Sequence, residues 1–265
     1  MTRFARFLPL LVAGAALVSA SVTIAAHAAP APTASAAEPP TSVVLVHGAF
    51  ADGSDWARVI PLLQARGLHV TAVQIPLTSL QDDVAATWRV IEAQPGKVVL
   101  VGHSWGGTVI TEAGATDKVS ALVYVSAFAP DAGQSSGELG KGYPTPPGSA
   151  SLSMDDAGFL HISDEGMRTQ FAFDVPPARA AVMAATQGPI AAKAFDEPVT
   201  VAAWKTHPSW YVVSTRDRMI APELQTAMAQ RIGAHVTRLP TSHVPQEVEP
   251  AKVAAAILDA VQHAQ

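Results

Sequence analysis

The sequence contains no cysteine, and charged residues are sparse. The absence of cysteine from all 265 residues excludes disulfide bonds, cysteine-ligated zinc sites and a cysteine nucleophile. Charged residues make up 15% of the chain, and 17 Lys and Arg against 22 Asp and Glu give a net charge of −5. No basic surface suited to nucleic acid is therefore expected. The 49% hydrophobic content suits one sizeable globular domain.

The first 28 residues are typical of a cleaved signal peptide. Arg3 and Arg6 precede an apolar stretch over 8–18, and the region ends in the A-x-A cleavage sequence AHA at 26–28. The alternative is a membrane anchor, but the apolar stretch is short for a span and contains Pro9. We therefore expect a secreted or periplasmic protein without a stable membrane anchor.

Residues 29–40 (APAPTASAAEPP) form a Pro/Ala/Ser/Thr tether that we expect to be disordered. From residue 41 to 265 the pattern predicts one α/β domain, because β-branched runs alternate with stretches of helical periodicity. This alternation predicts a mostly parallel sheet with right-handed crossovers, flanked by helices. Strands are predicted over 41–47, 69–74, 98–101, 119–126, 209–214 and 235–239, and helices over 56–65, 80–93, 108–115, 222–231 and 250–262. Asp55 is a candidate cap for the first helix.

The alternation stops near residue 130. The segment 130–206 contains seven prolines between 144 and 198, several short helical patterns and no convincing strand. We expect an inserted helical cap over the carboxyl edge of the sheet. The alternative, a long disordered loop, is disfavoured because the segment carries apolar residues such as Phe171, Met183 and Trp204.

The segment 97–108 (KVVLVGHSWGGT) is the centre of the functional prediction. An apolar strand runs into G-x-S-x-G, and a helix can follow, which is the nucleophile-elbow pattern. Ser104 would lie in a sharp turn that lifts its hydroxyl clear of the sheet. Glycine at 102 and 106 would remove the Cβ atoms that collide there.

A serine nucleophile needs a base, and the base needs an acid that fixes its tautomer. His243 follows the last predicted strand, where a base can reach the elbow. Asp217 follows the strand at 209–214 and is the preferred acid, with Asp131 as its rival. No metal site is expected, because the histidines are scattered and no carboxylate cluster occurs.

The oxyanion of an attacked carbonyl requires backbone N–H donors. One is expected from Trp105, the residue after the nucleophile. The other is expected from the loop His47-Gly48-Ala49-Phe50, with the N–H of Ala49 preferred and that of Phe50 second. His47 and His103 are expected to brace these loops rather than to react.

With Ser104, His243, Asp217 and HGAF identified, the chain resembles the α/β-hydrolase superfamily from about residue 43 to 261. The opening HGAFADGSDW and the late SHVPQEVEP resemble the branch that contains plant methylesterases and hydroxynitrile lyases. The resemblance implies a single helical cap, no cofactor and small aromatic or aliphatic substrates.

Two positions depart from the lyases of this branch. Those enzymes carry a hydroxyl-bearing residue before the oxyanion alanine and a lysine just after the catalytic histidine. This chain has Gly48 and Val244 there, so it lacks the cation that would stabilise a cyanide leaving group. The lyase interpretation is weakened accordingly.

The sequence therefore predicts a serine hydrolase that cleaves small-molecule carboxylic esters through an acyl-enzyme. Hydroxynitrile lyase or C–C bond cleavage and a non-catalytic ligand-binding role remain alternatives, and the oligomeric state is left open. The aromatic residues Phe50, Trp105, Phe159, Phe171 and Trp204 are candidates for an apolar substrate pocket. The alternative for the cap aromatics is that they merely pack the cap on the sheet.

Overall fold

The computed structural model describes residues 41–263. The predicted signal peptide at 1–28 and the predicted tether at 29–40 lie outside the described residues. The described chain forms a six-stranded sheet, helices on both of its faces and a smaller three-stranded sheet. Between residues 41 and 263, no helix has both the length and the hydropathy needed to cross a membrane.

The elements follow one another in the alternation that the sequence predicts. The strands are β1 (Ser42–Val46), β2 (His69–Val73), β3 (Val98–His103), β4 (Val119–Val125), β5 (Leu152–Met154), β6 (Phe159–Ile162), β7 (Ile190–Ala191), β8 (Ser209–Ser214) and β9 (His235–Leu239). The α-helices are α1 (Ile60–Gln64), α2 (Leu80–Ala93), α3 (Gly106–Ala113), α4 (Ser136–Leu139), α5 (Asp164–Gly166), α6 (Pro177–Thr186), α7 (Pro222–Arg231), α8 (Pro245–Val248) and α9 (Pro250–His263).

The large sheet has the strand order β2-β1-β3-β4-β8-β9, and every neighbouring pair is parallel. The predicted parallel sheet is confirmed. Along β1, Val43 and Leu45 belong to the core under α1 and α9, while Val44 and Val46 belong to the core under α2, α3 and α7. All four side chains are fully buried. A strand covered on both faces requires such an uninterrupted apolar run.

The first helix differs from its prediction. A 3₁₀ turn, Gly53–Trp56, precedes α1, so the predicted helix over 56–65 is shorter and broken. Asp52 caps the turn, because its side chain accepts a hydrogen bond from the backbone N–H of Ser54 at 2.6 Å. The prediction that Asp55 is the cap is therefore wrong, and the buried Asp55 side chain has a different role, described below.

The segment between β4 and β8, predicted as a helical cap, also contains strands. β5, β6 and β7 form a small antiparallel sheet. The prediction that the segment lacks strands was wrong because these strands are only three, four and two residues long, too short for alternation to be recognised. Phe171 and Met183 are buried, so the segment is packed and not a disordered loop.

Candidate active site

Ser104 lies in the sharp turn between β3 and α3. Its φ of 51° is in the left-handed region, a conformation that costs a residue with a side chain about 1–2 kcal/mol. A Cβ added to Gly102 would lie 2.4 Å from the carbonyl oxygen of Gly106, and one added to Gly106 would lie 2.6 Å from that of Val46. The predicted steric requirement for both glycines is confirmed.

His243 and Asp217 meet above this turn, from the loops that follow β9 and β8. Nδ1 of His243 donates a hydrogen bond to Oδ2 of Asp217 at 2.7 Å, and both side chains are buried. Nε2 of His243 is thereby left as the proton acceptor. Ser104 and His243 line the same cavity. No hydrogen bond joins the Ser104 hydroxyl to His243 within residues 41–263, and in enzymes this contact often tightens only when substrate binds.

The Asp217 carboxylate is held from several sides. Its Oδ1 accepts hydrogen bonds from the backbone N–H of Met219 at 2.7 Å and of Ile220 at 3.1 Å. Its Oδ2 accepts from Nε2 of Gln225 at 2.7 Å as well as from His243. These donors fix the direction in which the carboxylate faces the imidazole.

The rival acid, Asp131, lies elsewhere. It forms an ion pair with Lys205 and accepts a hydrogen bond from the backbone N–H of Ala132 at 2.7 Å. The Lys205 hydrogen bond, with smaller contributions from Ala132 and nearby charges, holds the pKa of the Asp131 carboxyl below its usual value. Asp217 is thus the carboxylate that the structure brings to His243.

A second buried His–Asp pair lies behind the first. Nε2 of His103 donates to the backbone carbonyl of His243 at 2.9 Å, and Nδ1 of His103 lies 2.9 Å from Oδ2 of Asp55. The latter contact is an ion pair, and the same Asp55 oxygen accepts a hydrogen bond from Nε2 of Gln246 at 2.8 Å. The prediction that His103 braces a loop is confirmed.

The charges of this second pair stabilise each other. Burial alone lowers the pKa of His103, but the Asp55 charge and the two acceptors outweigh burial, and the pKa is raised. Burial likewise raises the pKa of Asp55, but the His103 charge and the hydrogen bonds outweigh it, and the pKa is lowered. A charged His103 agrees with the geometry, because both of its ring nitrogens face acceptors.

The loop after β1 approaches Ser104 closely. His47 braces it as predicted: its Nδ1 donates to the carbonyl oxygen of Gly48 at 2.9 Å, and its Nε2 accepts from the N–H of Ile75 at 3.2 Å. Burial lowers the pKa of His47, in keeping with a neutral ring. A Cβ on Gly48 would lie 2.7 Å from the Cβ of Ser104, so a side chain here would force the loop or Ser104 to shift.

Two backbone N–H groups are available for an oxyanion. Among the hydrogen bonds of the described chain, the N–H groups of Ala49 and Trp105 have no protein acceptor, and Ala49 lines the cavity beside Ser104. The N–H of Phe50 instead donates to the carbonyl oxygen of Gly188 at 3.0 Å. Phe50 is therefore wrong as a second choice of donor, because a cap residue already occupies its N–H.

The cavity above Ser104 has a volume of about 200 Å³ and a mainly apolar wall. The core contributes Ala49, Phe50, Ser104, Phe128, Met219, Ile220 and His243. The cap contributes Ser149, Leu152, Leu160, Phe171 and Phe195. Phe50 and Phe171, two of the residues proposed from the sequence as substrate contacts, lie here and meet edge-to-face with centroids 6.4 Å apart.

The family model described as "Alpha/beta hydrolase family" matches residues 43–256. The chain belongs to the alpha/beta hydrolase family. The fold class predicted from the elbow and the β/α alternation is confirmed.

This alpha/beta hydrolase is similar in sequence or structure to several characterised or named proteins. It is 26% identical over 233 residues to "Probable hydrolase R7" of a Phoma species, an alignment that covers 80% of this chain and 94% of the relative. It is 36% identical to "Methylesterase 2" of Arabidopsis thaliana over 104 residues, 33% of this chain and 40% of that one. The crystal structure of a pyrethroid hydrolase from Sphingobium faniae JZ-2 superposes with a TM-score of 0.74 at 25% identity, covering 84% of this chain and 98% of that one.

Three of the five proposed substrate contacts do not line the cavity of this alpha/beta hydrolase. The Trp105 indole is fully buried, and its Nε1 donates to Oδ2 of Asp83 at 2.7 Å. Phe159 lies next to Leu160 on β6 and therefore faces the opposite side, in an outer concavity. Trp204 is absent from the cavity wall, and its Nε1 donates to the carbonyl oxygen of Pro130 at 2.8 Å. Trp105 and Trp204 thus pack in the core and against it, and Phe159 faces outward.

Asp83 is a buried acid that sequence reasoning missed. Its Oδ2 accepts from Nε1 of Trp105, and its Oδ1 accepts from the N–H of Leu77 at 2.7 Å. Burial raises the pKa of the Asp83 carboxyl to about 6, even though both hydrogen bonds oppose that shift. The signal was its place on the buried face of α2, between the apolar positions Leu80 and Val84.

The cap is fastened to the loop that carries the catalytic-site histidine. Oδ2 of Asp174 accepts a hydrogen bond from the backbone N–H of Ser242 at 2.7 Å. Arg179 of α6 pairs with the fully buried Glu247 of α8, with Nε 3.1 Å from Oε1. Both contacts flank His243, so one side of the cap and the base loop form a single packed unit.

No group of three or more His, Asp or Glu side chains within residues 41–263 is placed to hold a metal ion. The chemistry available at this site of the alpha/beta hydrolase consists of a hydroxyl, an imidazole–carboxylate pair and two backbone N–H donors.

Proposed function

We propose that this protein is a serine hydrolase that cleaves carboxylic esters of small apolar or aromatic molecules. The observation that carries the proposal is the shared cavity of Ser104 and His243, with Asp217 bound to the far side of the imidazole at 2.7 Å. Membership of the alpha/beta hydrolase family supports the same assignment.

The reaction follows from this arrangement. Ser104 Oγ attacks the ester carbonyl carbon while Nε2 of His243 takes its proton, and Asp217 stabilises the imidazolium. The backbone N–H groups of Ala49 and Trp105 bind the negative oxygen of the tetrahedral intermediate. His243 then gives the proton to the leaving alcohol. Water attacks the resulting acyl-enzyme by the same route and releases the acid.

The substrate class follows from the wall of the cavity. Phe128, Leu160, Phe171 and Phe195 offer apolar surface, which favours hydrocarbon groups on the ester. Among the relatives, one from Sphingobium wenxiniae that is 26% identical to this chain is named a pyrethroid hydrolase, and one from Arabidopsis thaliana is named a methylesterase.

Replacement of Ser104 tests the proposal. Ser104→Ala should lower kcat for 4-nitrophenyl acetate by several orders of magnitude, by analogy with triad knockouts. A fluorophosphonate probe should label the wild type and not this variant. Ser153→Ala, at an exposed position of β5, is the matched control and should behave as wild type. Wild-type turnover in Ser104→Ala would overturn the assignment.

The same experiment separates the alternatives. A non-catalytic binding protein would leave the probe unreacted and the esters intact. A lyase or C–C hydrolase would release product from a cyanohydrin or a diketone and little from simple esters. The buried Val244 beside His243 supports the esterase, because it supplies no cation for a cyanide leaving group.

The same proposal includes export of the protein to the periplasm or medium. Its support is the basic start with Arg3 and Arg6, the apolar run and the AHA sequence at 26–28. N-terminal sequencing of protein from the periplasmic and medium fractions should give Ala29 as the first residue. Recovery of full-length protein from the membrane fraction would contradict it.

A further inference from the structure

A second chamber adjoins the cavity that contains Ser104. We call the cavity above Ser104, about 200 Å³, the serine chamber, and its neighbour, about 250 Å³, the side chamber. The two chambers share five wall residues: Phe128, Ser149, Phe195, Met219 and Ile220. The two chambers are therefore direct neighbours, separated by no more than these five side chains.

The side chamber is formed by the start of the cap and the start of α7. The cap contributes Tyr143 and Pro144 to the wall, and the start of α7 contributes Ala221 and Leu224. With Tyr143 and the shared residues Phe128 and Phe195, the chamber offers three aromatic rings and several aliphatic groups. Such a wall suits an apolar ring, which gains from contact with aromatic and thioether groups.

Size favours a substrate that occupies both chambers. Sites for small organic molecules have volumes of roughly 300–1,000 Å³, and neither the serine chamber nor the side chamber reaches this range alone. A substrate confined to the serine chamber would leave an apolar space next to it filled with water. A second hydrocarbon group would displace that water and gain from burial.

The side chamber also lies where the cap is open. Near His243 the cap is closed by Asp174 on the Ser242 N–H and by the Arg179–Glu247 ion pair. At the side chamber the lining residues Thr145 and Ser149 are exposed to solvent. The side chamber is thus reachable from solvent without breaking the contacts that hold the histidine loop.

We propose that the side chamber binds the second hydrocarbon group of the substrate, so that the preferred esters carry an apolar ring on each side of the ester bond. The inference rests on the proposed esterase function and specifies its substrate class. It assigns selectivity to the segment from Ser136 to Ser149, which contains no residue of the hydrolytic machinery.

Gly140 offers a way to fill the side chamber without straining the fold. It lines the chamber, has a φ of −74°, and a Cβ added to it would meet no atom within 4 Å. Gly140→Phe should therefore fold, and we expect its ring to extend into the chamber from this exposed edge. Lys141→Phe is the matched control, because Lys141 is exposed and does not line the chamber.

The test compares benzyl phenylacetate, with two rings, against methyl phenylacetate and benzyl acetate, with one ring each. For the wild type and Lys141→Phe, kcat/KM for the two-ring ester should exceed both others by about tenfold or more. In Gly140→Phe this preference should disappear, while at least one single-ring ester is cleaved at the wild-type rate. Equal kcat/KM for all three esters in the wild type, or an unchanged preference in Gly140→Phe, would overturn the inference.

A second variant and a binding measurement complete the design. Thr145→Trp narrows the same chamber from its rim and should also abolish the preference for the two-ring ester. If both variants fold but cleave neither single-ring ester, the two chambers are not separate sites and the inference is wrong. Benzyl phenylacetate should raise the melting temperature of Ser104→Ala but not of Ser104→Ala/Gly140→Phe. This readout needs no hydrolysis, so it tests the chamber even if the esterase proposal fails.

Discussion

Nε2 of His103 donates a hydrogen bond to the backbone carbonyl oxygen of His243 at 2.9 Å, and the two rings lie 4.8 Å apart. Because His103 also pairs with Asp55, one buried His–Asp pair positions the loop from which the other projects. His103 touches no reacting atom, so its role is to position His243.

His103→Gln should lower kcat and leave KM nearly unchanged, because the substrate pocket is intact while the base is displaced. A displacement of about 1 Å can cost up to about 100-fold in rate. His161→Gln is the control: His161 pairs with Asp155 at 3.1 Å, but both side chains are partly exposed. A rise in KM with an unchanged kcat would contradict the positioning role.

The His103–Asp55 pair also predicts a pH dependence of stability. The raised pKa of His103 contributes stability that is complete below its unfolded value near 6.5 and is lost as pH rises through the folded pKa. The lowered pKa of Asp55 contributes stability that is complete above 3.8 and is lost in stronger acid. The difference in the free energy of unfolding between wild type and His103→Gln should therefore be largest between about pH 4 and 6.5. Urea titrations at pH 5.5 and at several higher pH values measure this difference, and a difference that does not fall as pH rises would refute the ion pair.

The two candidate acids give opposite expectations. Asp217→Asn should reduce kcat by about 10³–10⁴-fold, the size of effect seen when a triad acid loses its charge and its control of the tautomer. Asp131→Asn should leave kcat within twofold, because Asp131 pairs with Lys205 and not with His243. Steady-state kinetics on 4-nitrophenyl acetate decide between them. The reverse outcome would make Asp131 the acid.

Gly48 is expected to tolerate no side chain. In Gly48→Ala the new Cβ would lie 2.7 Å from the Cβ of Ser104 and 3.1 Å from the carbonyl oxygen of His103. Either the nucleophile or the oxyanion loop must move, and kcat/KM should fall by about 100-fold. Gly140→Ala, with no atom within 4 Å of the new Cβ, is the control and should keep full activity on 4-nitrophenyl acetate. Rapid fluorophosphonate labelling of Gly48→Ala would contradict the prediction.

The buried Asp83 carboxyl should make the free energy of unfolding fall as pH rises, whereas a carboxylate with a lowered pKa makes it rise. Its pKa rises from 3.8 to about 6 on folding, so the native state binds the proton more tightly than the unfolded chain. Its contribution to the free energy of unfolding is complete below pH 4 and falls by up to about 3 kcal/mol as pH rises through 6. Asp83→Asn removes this fall.

The measurement for Asp83 is a pair of urea titrations at pH 4 and 7. A weakened hydrogen bond to Trp105 or Leu77 would lower the stability of Asp83→Asn equally at both pH values. The free energy of unfolding of Asp83→Asn, relative to the wild type, should therefore be higher at pH 7 than at pH 4. Asp156→Asn, at an exposed turn, supplies the baseline. A stability difference between wild type and Asp83→Asn that does not change with pH would show that Asp83 titrates normally.

The arrangement around Ser104 was largely predictable because parallel strands end at one edge of a sheet. Residues in the loops that follow β3, β8 and β9 lie along that edge, which is how the sequence identifies Ser104, Asp217 and His243. The choice between Ala49 and Phe50 as N–H donor depended on Gly188, a cap residue far along the chain. No local pattern reveals such a contact.

The walls of the cavity were predicted less well, for a related reason. Leu160 faces the cavity and Phe159 does not, because β6 has the two-residue alternation of a strand. Without knowing that this four-residue segment is a strand, the larger aromatic residue looked like the better candidate. The prediction that the Trp105 side chain lines the pocket is wrong because its hydrogen-bond partner, Asp83, lies 22 positions earlier in the sequence. The two residues meet only through packing of α2 on α3.

The attachment of the cap to the base loop has a consequence for engineering and evolution. Asp174 and Arg179 hold the residues on either side of His243. Exchange of the whole insertion between homologues would therefore shift the His243 imidazole as well as change the substrate pocket. Changes confined to residues 136–149 avoid that linkage. Libraries that diversify this short stretch should yield new selectivities far more often than grafted caps, which would need compensating changes at Ser242 or Glu247.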